Sequence, residues 1–177
     1  MDDDIKVEVI PAIMLAIVAR QTDLDFTHVQ PLQEKIERGD IVMLAVRREV
    51  DGFVDQYMGR VCLWFAPDAH EGVRRAAPEA VVVRMLHINE RARLQGIATK
   101  VMKIVESVVA SRDRSLIALM VEPDNTAALA MNESLGYTLR QVDGNDTFMS
   151  DIDDDGNHVA TPVPMMLMVK EVSTQAA

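Results

Sequence analysis

Cysteine is nearly absent from this chain. Cys62 is the only one, so no internal disulfide can form. It lies in the apolar run Val61-Cys62-Leu63-Trp64-Phe65, which reads as a packed core thiol rather than a reactive one. Long hydrophobic runs are also missing. Ile10 to Ala19 is too short to span a bilayer, and Ile10, Ile13, Met14, Ile17 and Val18 form one helical stripe instead. Met1-Asp2-Asp3-Asp4 has the wrong charge for a signal peptide. A soluble cytoplasmic protein without a membrane partner is the expectation. Positive charge is scarce: 18 Lys and Arg face 28 Asp and Glu, for a net charge of −10. No basic stripe exists to meet nucleic-acid phosphates, so nucleic acid is not an expected partner. The acidity suits a cationic substrate but serves solubility equally well. Glycine is sparse at 8 residues, and neither G-x-x-x-x-G-K-[ST] nor G-x-G-x-x-G occurs.

What is present reads as an ordinary soluble composition, 49% hydrophobic and 26% charged over 177 residues, enough for one domain with a real core. Lys6 to Val9 reads as a short strand. Pro11 to about Arg20 reads as a helix, with Pro11 suited to its first turn. A turn over Gln21 to Asp25 leads to a second helix, stopped by Gly39 after Arg38. Strands are expected over Ile41–Val46 and Gly59–Phe65, with Asp51-Gly52 marking a turn. Ala66 to Ala80 reads as a polar loop. Val81–Ile88 is a β-branched strand. A helix then starts at Ile97, with Ile97, Val101, Ile104, Val105 and Val108 as its apolar stripe. Leu116–Val121 is a continuous apolar strand, and a short helix covers Thr126 to Ser134, ended by Gly136. Strands at Tyr137–Val142 and Val163–Val169 complete the chain. There is no repeat and no domain boundary, so residues 1–177 read as a single α/β domain with a mixed sheet. Asp151-x-Asp153-x-Asp155-Gly156 imitates half a calcium loop, but Pro162 stands where a bidentate acid belongs. A solvated turn is the expectation, and no metal.

The informative stretch is Arg93-Leu94-Gln95-Gly96-Ile97-Ala98, between the strand Val81–Ile88 and the following helix. A helix's first turn has backbone N–H groups without intrahelical partners and a partial positive charge, which together hold anions. Gly96 lets a bulky anion approach the backbone, Ala98 leaves nearly the same clearance, and Arg93 adds a permanent cation suited to phosphate oxygens. A plain glycine turn before a helix satisfies the same residues.

A second segment follows: Asn125-Thr126-Ala127-Ala128-Leu129-Ala130-Met131-Asn132-Glu133-Ser134-Leu135-Gly136-Tyr137. Taken with Leu86-His87-Ile88 and the Arg-x-x-Gly-x-Ala loop, in this order, it resembles the GNAT superfamily of acetyl-CoA-dependent N-acetyltransferases. The resemblance implies a mixed, mostly antiparallel sheet with splayed central strands, flanked by helices. It implies that Arg93, Leu94, Gln95, Gly96, Ile97, Ala98 and Thr99 wrap the coenzyme A pyrophosphate. Backbone near Leu86, His87 and Ile88 would hold the pantetheine arm and thioester, and Asn125, Ala128 and Asn132 would line the same arm. Two positions depart from the family. Leu94 replaces a frequent glycine. Asn132 stands where a tyrosine often protonates the departing thiolate; an amide can hydrogen-bond the sulfur or a water but is no acid. A coenzyme A thiol is acidic enough, with a Cys-like pKa of about 8.5, that a dedicated acid is not essential.

Acetylating an amine requires its neutral form. A lysine-like amine, with a pKa of about 10.4, lies about 3.4 units from neutrality at pH 7, roughly 4.6 kcal/mol to be met by a base, desolvation or positioning. His87 is the titratable candidate on its strand, with a histidine packed against covering helices as the alternative. Glu79, Glu71 and Asp68 in the preceding loop are further candidates. The resemblance puts acceptor recognition at Gln21–His28 and Ala66–Ala80, where Asp23 and Asp25 suit a cation, and Arg74 and Arg75 an anion. The expected acceptor is a primary amine of a small molecule or peptide. A homodimer is compatible with the resemblance.

Overall fold

The computed structural model describes residues 5–50, 53–65, 71–141, 148–152, 158–162 and 164–173. A seven-stranded sheet in the order β1-β2-β3-β4-β5-β9-β6 is its frame. The strands are β1 (Ile5–Val9), β2 (Ile41–Val50), β3 (Phe53–Trp64), β4 (Val81–Ile88), β5 (Leu116–Val121), β6 (Thr138–Arg140) and β9 (Met166–Glu171). Strands β7 (Phe148–Ile152) and β8 (His158–Pro162) pair with each other as a separate antiparallel ribbon. Within the large sheet only β4 and β5 run parallel. The expected mixed, mostly antiparallel sheet is therefore present. Asp153 and Asp155 of the calcium-like loop and the Asp51-Gly52 turn lie outside the described residues.

Helices cover both faces. On one face α4 (Ile97–Ala110) buries Ile97, Val101, Met102, Val105 and Val109 against Val81, Val83, Ile117 and Leu119. Each such side chain contributes about 1.5–3 kcal/mol on leaving water. The buried stripe sits slightly round the helix from the one expected. Met102 and Val109 are in the core, and Ile104 and Val108 flank it. On the other face α1 (Leu15–Gln21) and α2 (Val29–Arg38) bury Leu15, Val18, Val29 and Leu32 against Ile41, Met43 and Cys62. Gly39 ends α2 in the left-handed conformation, as its position after Arg38 suggests. The first helix divides into a 3₁₀ turn, Ala12–Met14, and α1.

The reading of residues 66–80 as loop needs correcting. Glu71–Ala76 forms α3, and Val73 and Ala77 pack on Val82, Ala118 and Leu167. Only two apolar residues four apart signal it in sequence; docking on the sheet supplies the rest.

One local feature shapes the centre. Parallel pairing of β4 with β5 covers Val81↔Ile117, Val82↔Ala118 and Val83↔Leu119 and then stops, although both strands continue. At that point β4 bulges against β3. Cys62 pairs with Arg84 and Arg60 with His87, so β4 spends one more residue than β3 over the interval. Met85, inside it, has φ 56°. Gly59 makes the close approach feasible: a Cβ there would lie 2.6 Å from the His87 carbonyl oxygen and 2.7 Å from Ile88 Cδ1. Gly59→Ala is expected to lower the urea midpoint by about 1–3 kcal/mol of stability. An unchanged midpoint would contradict the tight β3–β4 contact.

Candidate active site

The divergence of β4 and β5 leaves the β5-facing edge of β4 without a strand partner beyond Val83. The loop expected to hold an anion follows directly. After Ile88 comes a 3₁₀ turn, Glu90–Ala92, and then residues 93–96. Leu94 (φ 61°) and Gly96 (φ 72°) are both left-handed, a backbone form that turns successive N–H groups toward a common side. Gly96 thus does more than give clearance. It is the N-cap of α4 in a conformation that disfavours a side chain, with open space where a Cβ would go. The first bond inside α4 is donated by Lys100 to the Gly96 carbonyl at 3.1 Å, which leaves the N–H groups of Ile97, Ala98 and Thr99 at the free end.

Side chains pin this loop. Arg93 Nε donates to the Ile88 carbonyl at 2.9 Å, Gln95 Nε2 to the Arg91 carbonyl at 3.1 Å, and Arg48 Nη2 to Gln95 Oε1 at 2.9 Å. The Ile88 carbonyl accepts from Arg93, which braces the loop while the rest of its guanidinium remains half exposed. Leu94 is fully exposed. Leu86 packs against the α4 core.

Across the gap, α5 (Thr126–Ser134) begins with Asn125, whose Oδ1 accepts from Ala128 N–H at 3.1 Å. Asn125 is therefore a helix cap. Asn132 Nδ2 donates to the Ala128 carbonyl at 2.9 Å. Both backbone groups of Ala128 are thus occupied, and only its half-buried methyl remains to line a ligand. Asn132 is 3% exposed, and its Oδ1 is buried without a hydrogen-bond partner among the described residues. Leaving such an acceptor unmade costs about 1–3 kcal/mol. A ligand donor in the cleft would repair it.

His87 points to the opposite face, under the turn that joins α1 to the 3₁₀ turn Phe26–His28. Its Nε2 lies 3.9 Å from Asp23 Oδ2 and has no hydrogen-bond partner among the described residues. Burial, then the Arg60 and Arg93 charges, hold its pKa below the usual value, with Asp23 opposing them. This favours the neutral, proton-accepting form of the imidazole. Asn89 fixes the turn: its Nδ2 donates to the Gln21 carbonyl at 2.9 Å and the Tyr57 carbonyl at 3.3 Å. Gln21 Oε1 accepts from Tyr57 N–H at 2.8 Å.

The paired aspartates separate in role. Asp25 Oδ1 accepts from Thr27 N–H at 2.8 Å, which holds its acid below the usual range and makes it a cap. Asp23 has φ 51° and an exposed carboxylate beside His87. Residues of the β3–β4 connection lie elsewhere. It joins the end of β3 to the start of β4, opposite the divergence. Glu79 precedes His87 by eight residues of largely extended chain, roughly 25 Å at the usual strand rise. Arg74 and Arg75 sit on α3 over the paired end. Asp68 and the Glu71 side chain lie outside the described residues.

Sequence reasoning missed Arg60. It is 7% exposed on β3, cross-strand from His87, and donates Nη1 to the Thr22 carbonyl at the end of α1. The available signal was a charged residue directly before the apolar run Val61-Cys62-Leu63. Neither tyrosine reaches α5 as a free acid. Tyr137 is in the α4 core, its pKa raised by burial and Glu106. Tyr57 is on the α1–α2 side, its hydroxyl 3.3 Å from Glu8. Among the described residues no helix is long and apolar enough to cross a membrane, and no group of three metal-ligating side chains occurs.

The model of the acetyltransferase (GNAT) family matches residues 17–137, a span that includes β4, its bulge, the loop at the start of α4 and α5. The chain belongs to the GNAT acetyltransferase family. It is thus an acyltransferase by family, and GNAT enzymes use acetyl-CoA. No curated protein matches it significantly in sequence. Similar solved structures include the ribosomal-protein-S18-alanine N-acetyltransferase from Escherichia coli, at 11% identity and TM-score 0.62, covering 97% of this chain and 96% of that one. Another is the spermidine/spermine N-acetyltransferase from Vibrio cholerae, at 11% identity and TM-score 0.61, covering 94% and 92%. A GNAT acetyltransferase from Elizabethkingia anophelis with acetyl-CoA bound matches at 14% identity and TM-score 0.60, covering 97% and 100%. At these identities the likeness concerns the fold.

Cys62 is fully buried, and burial pushes its thiol up to about 12. A thiol so placed is a poor nucleophile at neutral pH. Iodoacetamide is expected to leave folded protein unmodified and to alkylate Cys62 once the chain is unfolded. Rapid alkylation of native protein, read by mass spectrometry, would overturn this.

Proposed function

We propose that this GNAT acetyltransferase moves an acetyl group from acetyl-CoA directly to a primary amine of a small molecule or peptide. The observation that carries the reading is the gap between β4 and β5, followed by a pinned loop with left-handed Leu94 and Gly96 and free N–H groups at the start of α4; the buried, unpaired Asn132 oxygen on α5 supports it. The pyrophosphate lies on the backbone of residues 93–99, with its charge facing the start of α4. The pantetheine arm follows the open edge of β4, and one of its amide N–H groups, or the S–H of coenzyme A once transfer is complete, supplies the donor that Asn132 Oδ1 lacks. The acceptor amine arrives from the α1–α2 side. There neutral His87 takes its proton, directly or through water, and the amine nitrogen attacks the thioester carbonyl. The C–N bond forms, the nitrogen gives up its remaining extra proton to water, the C–S bond breaks, and the thiolate leaves as coenzyme A.

Supporting this, the neighbouring enzymes named for ribosomal-protein alanine and for spermidine both act on amines. Acetyl-CoA is expected to raise the melting temperature, and a panel of amino acids, peptides, polyamines and aminoglycosides should reveal amine-dependent thiol release. Gly96→Trp should lose most of the thermal protection, since its side chain would occupy the loop's concave side. Protection without turnover on any amine would favour an acyl-CoA-binding module over a transferase.

The His87 assignment has a pH signature. Because the neutral form is the working one and its pKa is depressed, kcat/KM should be level near neutrality and fall on acidification, with a midpoint below about 6.5. His87→Gln should lower activity by about a hundred-fold or more and remove that limb. A limb retained in the variant would assign the base elsewhere.

A further inference from the structure

We propose that the acceptor amine carries a carboxylate, as an α-amino acid or a closely related amino acid does, and that Arg60 receives it. The inference rests on the acetyl-transfer reading and names the substrate class of that same site. Its starting point is a charge that the fold leaves poorly matched. Arg60 is more than nine-tenths buried, yet no carboxylate lies within ion-pair distance among the described residues. Its Nη1 donates to the Thr22 carbonyl, and its Nε is buried without a partner. Capping the end of α1 accounts for one donor of the guanidinium, and the exposed Asp23 carboxylate supports its charge only from beyond ion-pair distance. A buried cation in this condition is expensive unless an anion arrives.

Location decides what anion that is. Arg60 pairs across the strands with His87, the group placed to take the acceptor's proton. On the other side of His87 stands Asp23, exposed, 3.9 Å from Nε2 and held there by a left-handed backbone. The acceptor thus meets a carboxylate at the mouth, an imidazole in the middle and a guanidinium beneath. That order of charge matches an ammonium entering past Asp23 with a carboxylate attached a short distance away. A simple polyamine would bring a second cation toward Arg60 and be repelled. Planar guanidinium–carboxylate pairing also orients the molecule, which a lone Asp23 contact would not.

The test uses full-length protein, acetyl-CoA and matched acceptors that differ only in the carboxylate: phenylalanine against phenethylamine, lysine against cadaverine. The carboxylated member of each pair is expected to have a kcat/KM higher by about ten-fold or more. In Arg60→Gln that ratio should collapse toward one, and Arg60→Lys should retain part of it; melting curves establish that each variant is folded. A second measurement needs no turnover. N-acetylphenylalanine should bind the coenzyme A-loaded wild type more tightly than N-acetylphenethylamine, and this difference should vanish in whichever Arg60 variant folds. Equal turnover of both members of each pair would overturn the carboxylate proposal and leave acetyl transfer standing. Absence of turnover on every amine would remove the transferase reading instead. The N-acetylphenylalanine comparison then decides Arg60 separately, and binding indifferent to the carboxylate overturns its role.

Discussion

The parting of β4 from β5 is the constraint on which the rest depends. Two adjacent parallel strands with apolar, β-branched sequences would normally zip along their length. Here they separate after three register pairs because β4 spends an extra residue at Met85 while pressed against β3. That contact is feasible only because Gly59 has no side chain. The consequences run outward. The bulge turns Leu86 and Ile88 to the α4 core and His87 to the α1–α2 face. It leaves an unpaired strand edge beside the start of α4. The loop over residues 93–96 then continues from that edge, tied to it through Arg93 and the Ile88 carbonyl.

Polar groups divide into those the fold satisfies and those it does not. Lys170 and Glu106 pair at 2.7 Å beside Tyr137, and Lys170 also lies over the Tyr137 ring at 5.6 Å. Those charges lock β9 to α4 on the core side. Asn89, Gln21 and Tyr57 form a connected set that fixes the α1–α2 turn on β3. Buried atoms without a hydrogen-bond partner remain in both regions, on Glu106 and Tyr137 at the core side, on Asn89 in the turn, and on Arg60, His87 and Asn132. Arg60 and His87 are the two that face each other across β3 and β4 beside the bulge.

How much of this the sequence carried depended on the range of the signal. The bounds of β4, β5 and α5 match those read from β-branched runs, an Asn at the cap and a glycine stop, all local features. Helix α3 was missed because Val73 and Ala77 acquire their meaning from Val82, Ala118 and Leu167, distant in sequence. The placement of Glu79, Arg74 and Arg75 near the site failed on topology: an antiparallel β3–β4 connection must lie at the start of β4. Gly96 was legible as special, but its left-handed φ was not. Gly59 was unreadable as a site residue, since the approach of the His87 carbonyl defines it, and Arg60 showed only as a charge beside an apolar run, its role being set by the end of α1.

The substitution of asparagine for tyrosine at residue 132 fits the same geometry. The Ala128 carbonyl can only accept, so the amide nitrogen must face it, and the orientation of the side chain follows. What Asn132 presents inward is an acceptor. An acceptor does not protonate a thiolate, but it can hold a pantetheine N–H or the S–H of the product. With the Tyr137 hydroxyl buried in the α4 core and Tyr57 on the far face, no phenol stands ready to replace the acid. Under the proposed transfer the leaving thiolate would depart as such and collect its proton from water, which its acidity permits. The chemical burden then falls on the other partner: freeing the amine of its proton at the start, beside a neutral His87, becomes the step that residues of this fold are arranged to assist.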